Sequence, residues 1–170
     1  MSNQVFIREI KKEDNPHLAF LIREVFDEHG APHHGTVYSD PTTDNLHALF
    51  SKDRSVLFVA EKDNRICGCC GIYPTDGLDC DTAELVKFYL HGDFRGTGIG
   101  RSLMEQCIKA ARDLGYNRLY IESMPQFAKA VRIYEKQGFR RINHPLGNSG
   151  HTTCDIWMVK DLRSQRFILC

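Results

Sequence analysis

A glycine-rich turn between a predicted strand and a predicted helix is the feature that most constrains this chain. The turn Arg95-Gly96-Thr97-Gly98-Ile99-Gly100 follows an apolar-rich run from Thr82 to His91. From Ile99 to Gly115 apolar residues recur every three or four positions, which predicts an amphipathic helix. Glycines let a backbone approach a ligand closely, and the free N–H groups at a helix start favour an anion. The junction therefore predicts a pyrophosphate site.

The two common nucleotide-binding motifs do not fit this turn. The dinucleotide fingerprint needs a glycine three places after Gly98, where this chain has Arg101. The phosphate loop of nucleoside triphosphatases needs Gly-Lys-Ser/Thr, whereas Gly100 is followed by Arg101 and Ser102. A dinucleotide oxidoreductase with Glu122 as its ribose-binding acid is therefore a weak alternative.

The turn resembles instead the motif Gln/Arg-x-x-Gly-x-Gly/Ala of the GNAT acetyltransferase superfamily, with Arg95, Gly98 and Gly100 at its fixed positions. A second block, Ala130 to Phe139, is similar to that superfamily's Ala-x-x-x-Tyr-x-x-x-Gly-Phe segment. Glu84 to Tyr89 and the closing segment Gly147 to Met158 further resemble an uncharacterised bacterial branch, a likeness that carries no substrate.

The resemblance extends over nearly the whole chain and implies one GNAT domain over residues 1–170. Its fold class is α/β (α+β), with a mixed, mostly antiparallel sheet of about seven strands flanked by about four helices. The apolar patterns predict strands over 4–10, 55–60, 66–73, 82–91, 118–122, 139–142 and 152–160. They predict helices over 16–30, 41–50, 99–115 and 127–137.

Charge and hydropathy argue against nucleic acid and membranes as binding partners. Lysine plus arginine (22) equals aspartate plus glutamate (22), and a zero net charge argues against nucleic acid as the main partner. Apolar runs stay well short of the roughly 18 residues that span a bilayer. The segment Met1 to Arg8 lacks the basic and apolar blocks of a signal peptide. We expect a cytoplasmic protein without a membrane partner.

Seven cysteines are an odd number in a chain too large to need disulfides. We interpret them as reduced thiols that serve as small core residues. Cys67-Gly68-Cys69-Cys70 could suggest a metal site, but it lacks the paired two-residue spacing of structural zinc sites and lies in a predicted strand. No metal is expected.

The resemblance implies acetyl-CoA as co-substrate. The strand before the turn is splayed or bulged in that superfamily, so its free backbone groups would pair with pantetheine, and an N–H near Leu90 would polarise the thioester carbonyl. Gln126 stands where many members have an asparagine, so its contact is expected to be longer or absent. The implied cofactor-binding residues are Phe88, Tyr89, Leu90, Arg95, Gly96, Thr97, Gly98, Ile99, Gly100, Arg101 and Gln126.

Two catalytic residues are implied for direct attack by an amine in a ternary complex. A base must deprotonate the amine, and Glu84 is the first candidate, against the alternative of a strand residue that is solvated or ion-paired with Lys87. Glu122 at the end of the next strand is the second candidate, and water alone is a third. Tyr134 matches the tyrosine that protonates the leaving thiolate in many members, although a plain core tyrosine would look the same.

A cysteine nucleophile is a competing mechanism. Cys154 would need His151 to become a thiolate, but on an alternating strand two residues three positions apart face opposite sides. Direct transfer is therefore favoured. Four histidines lie in loops expected near the acceptor mouth: His29, His33, His34 and His151.

The sequence predicts an N-acetyltransferase acting on a primary amine of a small molecule or an amino acid. The alternative is a non-catalytic acyl-CoA-binding or sensor module on the same fold. Acceptor pockets are built from variable loops, here 30–40 and 142–153, so the acceptor stays open, as does the use of other acyl groups. A homodimer is common among members of the superfamily.

Overall fold

The computed structural model describes residues 4–163. Met1 to Asn3, the start of the segment compared above with a signal peptide, lie outside this range. The strands are β1 Val5–Glu9, β2 Val56–Lys62, β3 Arg65–Tyr73, β4 Thr82–Leu90, β5 Arg118–Ser123, β6 Arg140–Ile142 and β7 Ile156–Asp161. The helices are α1 Asn15–Glu28, α2 Leu46–Leu49, α3 Ile99–Asp113 and α4 Ala128–Lys136. None of these helices combines the length and apolar character needed to span a bilayer.

The strands form one seven-stranded sheet in the order β1-β2-β3-β4-β5-β7-β6. Only β4 and β5 are parallel, and α3 makes the crossover between them that parallel neighbours require. The β2–β3 hairpin turns at Asp63 and Asn64, whose φ angles of 51° and 59° suit a tight hairpin turn. The predicted mixed, mostly antiparallel sheet flanked by helices is confirmed.

Each face of the sheet packs against its own helices because strand side chains alternate between faces. In β2, Phe58 and Ala60 join the core under α3 and α4. Their neighbours Leu57 and Val59 join the core under α1 and α2. The site described below lies where both helical layers reach the middle of the sheet.

The cysteines are mostly core residues, as predicted. Cys67, Cys69, Cys70 and Cys107 are fully buried, and burial raises the pKa of the Cys69 and Cys70 thiols, which keeps them protonated. The prediction is wrong for Cys80, which is exposed in the connection before β4. Cys170 lies outside the described residues.

β4 is bulged on one side and splayed on the other. Cys69 pairs with Tyr89 and Gly71 with Val86, so Lys87 and Phe88 together oppose a single β3 residue. Lys87 takes a φ of 55° there. On the other side β4 pairs with β5 only over 82–84 and then diverges. The bulged and splayed strand that the resemblance implied is confirmed.

Two predicted elements differ from the structure. The helix expected over 41–50 is a 3-10 turn, Pro41–Asn45, followed by the short α2. Polar side chains compete with the hydrogen bonds of a helix, and here the Asp40 side chain accepts a hydrogen bond from the Thr42 N–H at 2.9 Å. The strand expected over 152–160 begins only at Ile156, since the residues before it form a turn.

Replacing Gly68 with alanine should destabilise the pairing of β3 with the bulged strand. A Cβ at this position would lie 2.6 Å from the Tyr89 carbonyl oxygen and 2.7 Å from Leu90 Cδ1. We expect a loss of about 2 kcal/mol in the free energy of unfolding, seen as a melting temperature lower by several degrees. Gly92→Ala is the control, because the nearest atoms to its Cβ are 3.9 Å away. Equal melting temperatures for the two variants would contradict the packing described.

Candidate active site

A cavity of about 450 Å³ opens where β4 leaves β5. It runs from the glycine-rich turn, between α1 and α4, to the ends of β4 and β5 near Glu84 and Glu122. Most of the predicted site residues line it, namely Glu84, Phe88, Tyr89, Leu90, Arg95, Gly96, Gly98, Gly100, Arg101 and Tyr134. The fold thus brings the turn and both catalytic candidates to one space.

The turn presents unpaired N–H groups at one end of this cavity. Gly96 and Gly98 have φ angles of 75° and 88°, a left-handed conformation that glycine adopts without steric cost. Ser102 makes the first helical hydrogen bond of α3, to the Gly98 carbonyl at 3.0 Å. The N–H groups of residues 99–101 therefore have no acceptor within the helix. With the helix dipole they form an anion site.

Gly100 and Arg95 fix the position of the turn. A Cβ at Gly100 would lie 3.3 Å from Phe88 Cζ, so the start of α3 lies directly against β4. The Arg95 guanidinium donates to Glu28 at 2.8 Å and its Nε donates to the Leu90 carbonyl at 3.1 Å. Arg95 thus ties the turn to α1 and β4, and its charge is already engaged.

Three of the implied cofactor contacts do not line the cavity. The Thr97 hydroxyl donates to the Phe94 carbonyl at 2.6 Å, and the Ile99 side chain is buried in the core. Gln126 is exposed on the 3-10 turn Pro125–Phe127 and is not among the residues that line the cavity. At Thr97 and Ile99 only the main chain remains available to a ligand.

The backbone of β4 offers a donor to the gap. The His91 N–H donates to the Cys67 carbonyl on β3 at 2.8 Å. Because successive residues of a strand point their N–H groups to opposite sides, the Leu90 N–H faces the gap left by β5. This is the position at which a thioester carbonyl could be polarised.

Glu84 is a buried carboxyl group with an altered pKa. Its side chain is 4% exposed and accepts a hydrogen bond from the Thr75 hydroxyl. Burial, reinforced by the negative charge of Glu122, raises the Glu84 pKa from its usual 4.5 to about 7, while Thr75 and Lys87 oppose the shift. A carboxyl group that ionises near neutral pH suits a general base. Glu84 is not in ion-pair contact with Lys87 among the described residues, which removes the plain ion-pair interpretation.

Glu122 is engaged in holding a loop. One oxygen accepts from the Tyr120 hydroxyl at 2.9 Å and the other from the Ser149 hydroxyl at 2.6 Å. The Tyr120 oxygen in turn accepts from the Leu146 N–H at 3.0 Å. Since both of its oxygens are used to hold residues 146–149 to β5, Glu122 is a weaker candidate for the base than Glu84.

Tyr134 is a protonated phenol in the cavity wall. Its ring packs against Phe88 and Phe139, with ring centroids 5.9 Å and 6.0 Å apart. Burial raises the Tyr134 pKa far above its usual value, so the hydroxyl keeps its proton at neutral pH. It can therefore act as a proton donor.

The geometric argument against the Cys154–His151 pair is wrong, but the electrostatics still disfavour it. Both residues lie in the turn before β7 and line the cavity, with the Cys154 N–H donating to the His151 carbonyl at 3.4 Å. Burial, with Glu122 and Glu84 adding to it, raises the Cys154 pKa to about 12. Burial and the Lys87 charge lower the His151 pKa. A thiolate–imidazolium pair is therefore unfavourable.

The loop histidines divide into two groups. His29 and His151 line the cavity, as expected for residues near the acceptor. His33 instead stacks on Tyr38 with ring centroids 3.6 Å apart and contacts Asp27, and His34 lies outside the cavity wall. For these last two, a position near the acceptor stays a prediction.

Sequence reasoning undervalued Lys87 and missed Asp40 as part of the site. Lys87 is 7% exposed and lines the cavity, and Asp40 contacts His151 Nε2 at 3.4 Å. A lysine within the apolar run Leu85 to Leu90 was the available signal. The sequence around Asp40 gave no such signal, since it indicated only a possible helix cap.

Comparison with known proteins decides the family. The model of the acetyltransferase (GNAT) family matches residues 20–139, which is more than half of the chain. The chain belongs to the acetyltransferase (GNAT) family. An acetyl-CoA-dependent acyltransferase is the enzyme class that follows from this membership.

Relatives of the GNAT family agree with this assignment. The chain is 32% identical over 157 residues to an uncharacterized N-acetyltransferase, YjgM, of Escherichia coli strain K12, covering 92% of this chain and 94% of that protein. A GNAT acetyltransferase structure from Staphylococcus aureus Mu50 superimposes with a TM-score of 0.83 at 18% identity, covering 94% and 100% of the two chains. The yncA putative acetyltransferase of Salmonella typhimurium, solved with acetyl-CoA, gives 0.75 at 20% identity, covering 96% and 97%.

Glu84→Gln should remove a pH dependence of stability. The folded protein holds this proton more tightly than the unfolded chain, so between pH 4.5 and about 7 the wild type loses stability as the pH rises, by about 3 kcal/mol in total. The glutamine variant has no group to ionise there. In urea denaturation across this range, the stability of the variant relative to wild type should increase with pH. A constant difference would show that the Glu84 pKa is not raised.

Proposed function

We propose that this protein transfers the acetyl group of acetyl-CoA to a primary amine of a small molecule or an amino acid, by direct attack within a ternary complex. The observation that carries the proposal is the single cavity that joins the unpaired N–H groups of the glycine-rich turn to Glu84 and Tyr134. The Salmonella typhimurium neighbour, whose structure holds acetyl-CoA, supports the choice of acyl donor.

The turn and the splayed strand would position the donor. The residues fit a pantetheine diphosphate, because Gly96 and Gly98 leave open space at their Cα atoms and the start of α3 offers free N–H groups. Acetyl-CoA supplies an acetyl group activated as a thioester. The Leu90 N–H, directed to the gap beside β5, would donate to the carbonyl oxygen as negative charge develops there.

Glu84 and Tyr134 would move the protons. A carboxylate at Glu84 accepts a proton from the ammonium of the acceptor, directly or through water, and leaves an amine able to attack. Its pKa of about 7 makes both protonation states accessible near neutral pH. Tyr134 would donate its phenolic proton to the departing sulfur, and its raised pKa means that the hydroxyl carries this proton at neutral pH.

Acetyl-CoA should raise the melting temperature of the protein, and NADH and ATP should not. Gly98→Ala should weaken acetyl-CoA binding about tenfold, because a left-handed φ of 88° strains alanine and the turn would relax away from its anion-binding shape. The measurement is acetyl-CoA titration by calorimetry. Gly115→Ala is the matched control, with a φ of 83° and the nearest atom 3.9 Å from its Cβ position, just beyond the opposite end of α3.

Two results would count against this proposal. Absence of a thermal shift at saturating acetyl-CoA would remove the donor site. A normal shift without acetylated product from a broad panel of amines would favour the acyl-CoA-binding module that does not catalyse.

Tyr134→Phe should lower kcat about 100-fold while acetyl-CoA affinity stays within about twofold of wild type. The phenylalanine keeps the packing against Phe88 but has no proton to give. Release of free CoA thiol measures turnover, and calorimetry measures affinity. Turnover equal to wild type would exclude Tyr134 from the chemistry.

A further inference from the structure

Lys87 is a buried lysine that forms no ion pair within the described part of the chain. Its side chain is 7% exposed and lines the cavity, and no carboxylate among residues 4–163 is in ion-pair contact with it. In that part of the chain, every sealed side-chain nitrogen or oxygen has a hydrogen-bond partner. The unpartnered Lys87 ammonium must therefore reach the open space of the cavity.

The carboxylates whose charge acts on Lys87, Asp40 and Glu84, bind other donors, as does Glu122 in the cavity wall. Each accepts at least one hydrogen bond from a hydroxyl group, and none of the three is in ion-pair contact with the lysine. The donors are Thr42 for Asp40, Tyr120 and Ser149 for Glu122, and Thr75 for Glu84. The Lys87 ammonium takes no part in these hydrogen bonds, and a buried ammonium needs a hydrogen-bond acceptor, which a bound ligand could supply.

The other lysine and arginine residues of the cavity wall are paired or exposed. Arg95 is paired with Glu28, Arg101 is exposed at the start of α3, and Lys129 is exposed on α4. Burial lowers the Lys87 pKa, whereas the charges of Asp40 and Glu84 favour its ammonium form. A bound carboxylate would favour the ammonium form in the same way.

We propose that Lys87 binds a carboxylate of the acceptor, so that the acceptors are amines that also carry a carboxylate, with amino acids as the simplest case. This inference rests on the proposed function. Glu84 and Lys87 lie three positions apart on β4, roughly 10 Å or less along it, and both line the cavity because the bulge at Lys87 and Phe88 interrupts the alternation of the strand. The pair would therefore hold the amino and carboxylate groups of one small molecule side by side, and an ester, an amide or a peptide N-terminus would leave Lys87 unpaired.

The test compares matched acceptors. The twenty amino acids are assayed with the amide and the decarboxylated amine of each one that is acetylated. We expect kcat/KM for the acid to exceed that for its amide by about 10- to 100-fold, the range of a charge-assisted hydrogen bond. In Lys87→Met this ratio should fall to about 1, and Lys87→Arg should restore part of it. Lys109→Met, on the exposed face of α3, is the control and should keep the ratio.

The ratio of kcat/KM for acid and amide separates recognition of the carboxylate from an effect of Lys87 on the base Glu84. Removing the Lys87 charge also raises the Glu84 pKa, but that change acts on every acceptor and cancels in the comparison of acid with amide. Melting temperature and acetyl-CoA affinity of Lys87→Met verify that the variant is folded. A wild-type enzyme that uses amides as well as acids, or an unchanged ratio in Lys87→Met, overturns the inference and leaves the proposed function intact.

Binding of amino acids, measured without turnover, tests the role of Lys87 independently. The amino acids are titrated by calorimetry into wild type and Lys87→Met, each saturated with CoA. We expect the variant to bind them about tenfold or more weakly. Equal affinity, or no binding by wild type, overturns the carboxylate assignment even if no amine is acetylated, whereas failure to acetylate any amine overturns the proposed function alone.

Discussion

The separation of β4 from β5 is the constraint on which the site depends. Parallel strands normally satisfy their backbone groups in each other, and here the ladder ends after residue 84. β4 remains held on its other side by β3, where the bulge at Lys87 and Phe88 redirects the strand. α3 then starts against Phe88, so the same distortion sets the position of the anion-binding turn.

A single physical cause, exclusion of water from the cavity wall, shifts the pKa of four acid–base groups there so that the neutral form of each is favoured. It makes Glu84 a weaker acid and keeps Tyr134 protonated. It also leaves Cys154 as a thiol and His151 neutral, which removes the competing nucleophile. Burial is thus the main cause of the pKa shift in all four side chains, and the neighbouring charges differ from one side chain to the next.

Local signals predicted what depends on neighbours in sequence. The glycine turn, the periodicity of α3 and the apolar run of β2 predicted a turn, a helix and a strand that the structure contains. Features built by distant residues were not accessible. The engagement of Arg95 by Glu28 and of Glu122 by Ser149 join segments that are 67 and 27 residues apart. The bulge at Lys87 was implied by the family resemblance and not by the local residue pattern, and the late start of β7 follows from a loop held by side chains elsewhere in the chain.

The link between Arg95 and Glu28 has a consequence for how the protein responds to its solution. The two side chains are 28% and 47% exposed, so the pair lies within reach of dissolved ions. Mobile counterions weaken an attraction of this kind, and at physiological ionic strength the screening length is only about 8 Å. The order that this pair gives to the turn therefore diminishes as salt concentration rises, and dilute buffers exaggerate how firmly the donor site is held.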